Sequence, residues 1–110
     1  MINFWVPKFF IFHDPYFIVF QLDQALKYKE QANDLFKKVQ KGEGSMDDTL
    51  EAVRLYGLAI ESCPPDEKTH KSIFHNNLGI AYKKLDKKLE AKGEFSKAIE
   101  LNPNYSKPLY

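Results

Sequence analysis

A single cysteine in 110 residues excludes an internal disulfide, and an unpaired thiol fits a reducing, cytoplasmic setting. No base or thiolate-stabilising site accompanies Cys63, which reads as a small inert residue at a helix end. The five glycines form no phosphate-cradling loop, and neither a His-Glu-x-x-His motif nor cysteines paired at metal spacing occur. The three histidines do not converge either. His70 and His75 are five apart, which turns them to different sides of a helix, and His13 lies in another segment. Catalysis, a metal and a cofactor therefore have no residues to carry them, so the chain is read as no enzyme.

Charge of one sign is also missing. The net charge is +1, and the basic bias of 71–110, eight bases against four acids, falls far short of a nucleic-acid-binding surface. Residues 21–66 lean the other way, with nine acids and six bases. Lys83-Lys84 and Lys87-Lys88 are the densest basic cluster, and such runs at a turn usually face water. No long uncharged apolar run exists. The first twenty-two residues hold half of the aromatics, but Pro7, Lys8, Asp14 and Pro15 interrupt them, where a membrane span needs about 20 apolar residues. They also lack the early positive charge and small-residue cleavage site of a signal peptide. Residues 1–22 are read as an aromatic-rich segment outside the rest of the pattern. Asp14-Pro15 offers a competing reading, an N-cap and first-turn proline opening a helix that runs into Gln24 and Ala25.

What the chain does have is a recurrence. Ala52, Tyr56, Ala59 and Pro64 return as Ala91, Phe95, Ala98 and Pro103, each thirty-nine positions on. Leu78-Gly79 and Tyr82 precede the second set. Spacings of three and four put each set on one helical face, and the period-two alternation of a strand is absent. Small residues let helix backbones approach, aromatic ones fill the space around the crossing, and proline ends the second helix. The fold class is all-α, built of helix hairpins.

These residues resemble the tetratricopeptide repeat, a helix-turn-helix unit of 34 residues. Ser72 to Tyr105 reads as one whole unit, with Ile73, His75, Asn77, Leu78, Gly79 and Tyr82 on its first helix. A turn near Asp86 leads to Ala91, Phe95 and Ala98 on its second. The earlier unit places Lys29, Ala32, Asn33, Leu35 and Phe36 on a first helix, with Ala32 where the family has glycine. A long polar loop at 40–48 separates it from the second helix. Repeat one is thus about 25–66, repeat two about 67–104, with a partial third at 105–110, the whole repeat domain being 23–110. Residues 67–71 are expected to extend the next helix, capped by Asp66. With two units and a stub, the isolated chain is expected to be marginally stable.

The resemblance implies a protein-interaction adaptor. Within the family, Ala59 to Pro64 and Ser96 to Pro103 look most like the tetratricopeptide repeat protein one group and related cochaperones. In cochaperones that hold the C-terminus of a cytosolic heat-shock chaperone, lysine and asparagine side chains form a carboxylate clamp. Lys29, Asn33, Asn77 and Lys107 fall on four of its places, and the fifth, an arginine, would come after Tyr110. Lys29 and Asn33 lie one helical turn apart, so both can face the groove lined by first helices. Their donors suit a terminal carboxylate through charge-assisted hydrogen bonds. Two other readings stay open: a scaffold for a folded partner without a clamp, and an accessory segment beside a separate catalytic domain.

Overall fold

Four helices follow one another in the computed structural model: α1 (Pro15–Gln40), α2 (Met46–Ser62), α3 (Lys68–Lys84) and α4 (Lys88–Leu101). The structure describes residues 15–104, and among these there is no strand. Each helix packs on the next in chain order, α1 on α2, α2 on α3 and α3 on α4. Two antiparallel hairpins therefore stack side by side. Stacking explains the burial pattern. Helix α3, flanked by α2 and α4, buries Ser72, Phe74, His75, Asn77, Leu78, Gly79 and Ala81, whereas α4 buries only Ala91 and Ala98.

Helix α1 starts at Pro15, whose fixed φ and missing N–H suit a first turn. The boundary placed at residue 22 therefore falls inside a helix, and residues 15–22 are its N-terminal part. Asp14, read as its cap, lies outside the described residues, as do His13 and the earlier aromatics. The loop placed at 40–48 is shorter than the composition suggests, because α2 already begins at Met46. The cause is a capping box. Ser45 Oγ accepts from the Asp48 N–H at 3.3 Å, while Asp48 Oδ2 accepts from the Ser45 N–H at 3.0 Å.

Both first helices stop by the same device. Glu43 N–H reaches back to Lys38 O and Gly42 N–H to Val39 O, each at 3.0 Å. In the second hairpin Lys87 N–H bonds Tyr82 O at 2.9 Å and Asp86 N–H bonds Lys83 O at 3.0 Å. This closure needs one left-handed residue, supplied by Gly42 at φ 79° and by Asp86 at φ 61°. The turn expected near Asp86 is thus present. Asp66 does not cap α3. Glu67 occupies the cap position without a side-chain cap bond, and its carboxylate meets His70 Nδ1 at 2.9 Å instead.

The core forms two clusters. Ala32, Phe36, Ala52, Leu55, Tyr56, Leu78 and Ala81 join α1, α2 and α3, and Ala25, Ala59, Cys63 and Phe74 lie beside them. A fully buried aromatic of this kind contributes about 1.5–3 kcal/mol through removal from water. In the second hairpin a glycine stands where the aromatic ring meets the first helix. A Cβ added to Gly79 would stand 2.6 Å from Phe95 Cε1, so the glycine is what lets that ring lie on α3. None of the described helices is long and apolar enough to cross a membrane.

Candidate functional site

Asn33 of α1 and Asn77 of α3 are forty-four residues apart in the chain, and the stacking of the hairpins brings them together. Asn77 Nδ2 donates to Asn33 Oδ1 at 3.4 Å. The same oxygen accepts the phenolic O–H of Tyr56, which reaches over from α2. Three helices thus meet at one amide. Asn77 is 1% exposed, and its Oδ1 is buried with no partner among the described residues. A buried acceptor left open is uncommon, since such an atom forfeits its bond to water. Asn76 Nδ2, on the next residue back, is a buried donor in the same condition.

Lys29 lies one turn before Asn33 on α1 and is half-buried, with no ion pair among the described residues. Lys107 lies outside the described residues, so of the four expected positions the structure brings together Asn33 and Asn77 and sets Lys29 on the same helix as Asn33. Lys83, Lys84, Lys87 and Lys88 are all exposed around the α3–α4 turn, as a solvated cluster should be.

Other polar side chains serve packing. His75 Nδ1 meets Glu94 Oε1 at 2.7 Å, tying α3 to α4, and Ser72 Oγ donates to Ala98 O at 2.9 Å. His70 sits tilted against the Phe74 ring with centroids 6.4 Å apart. Cys63 is buried, and that burial pushes its thiol up to about 11, well above the range in which a thiolate attacks. Among the described residues no three His, Cys, Asp or Glu side chains are grouped to hold a metal.

A model of the tetratricopeptide repeat matches residues 72–105, which take in α3 from residue 72 onward, the turn after it and all of α4. The chain belongs to the tetratricopeptide repeat family. Tetratricopeptide units are protein-interaction modules, and this chain is one of them. It is 34% identical over 89 residues to the mitochondrial import receptor subunit TOM70 of Homo sapiens, and equally to those of Rattus norvegicus and Mus musculus. Those alignments take in 81% of the chain but 13% of each receptor. No solved structure matches. Within the family's pattern, Tyr56 is the site residue that sequence reading passes over. It stands at a packing position of the repeat, and the available signal was a hydroxyl there where the second unit has Phe95.

Proposed function

We propose that this tetratricopeptide module is a cochaperone-like adaptor that holds the acidic C-terminus of an extended peptide, such as the tail of a heat-shock chaperone. Lys29, Asn33 and Asn77, together with Lys107, are the carboxylate-binding residues. The observation that carries this reading is the meeting of Asn33 and Asn77 between the two first helices. Half-buried Lys29 lies one turn from Asn33. A carboxylate placed there gains an ammonium and amide N–H donors. Similarity to subunits named as import receptors agrees with a receptor-type role. A buried, unreactive Cys63 suits a cytoplasmic setting.

A second reading has an observation of its own. Leu89 is 80% and Ile99 58% exposed on α4, apolar side chains that a folded partner could cover without any clamp.

Titration with a fluorescent peptide ending in Glu-Glu-Val-Asp, against the same peptide with a C-terminal amide, separates the two. The clamp requires the free acid to bind at least about tenfold more tightly, since charge-assisted bonds contribute roughly 1.5–3 kcal/mol. Lys29→Ala and Asn33→Ala should each abolish most of that preference, and added salt should weaken it. Equal binding of acid and amide sinks the clamp. In that case Leu89→Lys and Ile99→Lys are the informative variants for a folded partner.

A further inference from the structure

An asparagine amide can serve an anion only with its nitrogen turned outward, and nothing in the amide itself fixes that choice, because its two ends have nearly the same shape. The surroundings must decide. At Asn33 the oxygen takes both neighbouring donors, the Tyr56 O–H and Asn77 Nδ2, while Nδ2 has no partner among the described residues. Asn33 is half-buried, so this end of the amide is the one left for a ligand.

Comparison of the two repeats shows which part of Tyr56 serves the fold. Tyr56 and Phe95 stand at equivalent places, so the ring is what packing of the hairpin uses and the hydroxyl is an addition. Aligning Ala32 with Gly79 sets Asn33 opposite Ile80. The unit with a polar residue on its first helix carries tyrosine, and the unit with isoleucine carries phenylalanine. The hydroxyl goes with the amide.

We propose that Tyr56 is a positioning residue for the carboxylate site: its buried phenol holds the Asn33 oxygen inward and so presents Nδ2 as a donor to the bound terminus. This rests on the clamp reading above. Without the phenol, Asn33 Oδ1 keeps only the long bond from Asn77. The amide is then free to turn its oxygen toward the ligand carboxylate, where two acceptors face each other. Tyr56 acts through Asn33 and needs no contact with the peptide.

The test uses the 110-residue chain, Tyr56→Phe, and the Glu-Glu-Val-Asp peptide as acid and as amide. Tyr56→Phe should keep the helical circular dichroism, since Phe95 fills the matching place, yet lose at least fivefold of the preference for acid over amide. Asn33→Asp is the companion variant. Its inner oxygen still accepts the phenol, so the fold is retained, but the outward donor is gone and acid binding should fall further than in Asn33→Ala. An undiminished acid preference in Tyr56→Phe, while Asn33→Ala loses it, overturns the proposal and leaves Tyr56 as packing only. Wild-type binding of the acid by Asn33→Asp overturns it too. Should the wild-type chain show no acid preference, the clamp reading fails separately, and Asn33 itself decides the positioning claim. Its side-chain NH2 resonances, identified by their loss in Asn33→Ala, should shift and gain mobility in Tyr56→Phe, and unchanged resonances overturn it.

Discussion

The two hairpins meet the same packing demand with different residues. Each crosses its helices through a small residue and an aromatic ring, but the first does so with Ala32 and Tyr56 and the second with Gly79 and Phe95. Tyr56 is fully buried because α2 lies between α1 and α3, whereas Phe95 on α4 is half-buried. Their helix starts differ as well. Helix α2 opens on a reciprocal capping box, while α3 and α4 open without a side-chain cap bond. The second hairpin is the more regular in pattern, and the first carries the local devices. Regularity suffices for stacking, but the polar site needed an irregular unit, with a tyrosine and an asparagine where its neighbour has phenylalanine and isoleucine.

Aromatic truncation should break the symmetry most strongly. Tyr56→Ala opens a cavity across three helices and should cost about 3–5 kcal/mol, with loss of helical signal in a urea melt. Phe95→Ala should cost less, about 2 kcal/mol, since that ring is only partly removed from water. Equal losses would contradict the sandwiched position of α2. Exchanging the small residues comes next. Gly79→Ala drives a methyl into the Phe95 ring and should destabilise by about 1–3 kcal/mol, while Gly93→Ala, whose Cβ meets nothing within 4 Å, should stabilise by up to about 1 kcal/mol. Thermal midpoints that move in the same direction for both would show that backbone entropy, not the Phe95 contact, governs Gly79.

The caps give a smaller contrast. Ser45→Ala should lose about 1 kcal/mol. Lys87→Ser, which offers a hydroxyl acceptor to the Glu90 N–H, should recover roughly 0.5–1 kcal/mol in the second hairpin, as read by denaturant midpoints. Smallest is an acid effect confined to the first. The Ser45 backbone N–H, with help from Lys38, holds the Asp48 carboxyl below its ordinary 3.8. A depressed folded value means that the stabilisation is present above that pH and is lost as pH falls through it toward the folded value. The Ser45 amide resonance should follow this titration, and Asp48→Asn should flatten it.

Much of this was legible before any coordinates. Alanine, aromatic and proline at repeated spacings dictate two helices that cross closely, and Gly79 and Phe95 do meet as that pattern requires. Proline at residue 15 offered a helix start only as the competing reading, because its fixed φ and missing N–H suit a first turn, and α1 does begin there, inside the segment set apart at 1–22. Loop and cap assignments failed where composition outweighed geometry. Residues 46–48 look like loop, yet Ser45 and Asp48 satisfy each other's backbone and pull them into α2. Asp66 has the right side chain for a cap, but α3 begins at Lys68 and puts Glu67 in that place.

The candidate site divides along the same line. Helical period alone put Lys29 and Asn33 on one face of α1, since a four-residue step is nearly one turn. Whether Asn33 would reach Asn77, which atom of its amide would face inward, and that Tyr56 would hold it there depend on the angle and depth at which three helices cross. Those are set by how side chains interlock between helices. The chain's own periodicity determined that hairpins form and stack, and stacking decided which polar atoms were satisfied inside and which were left open.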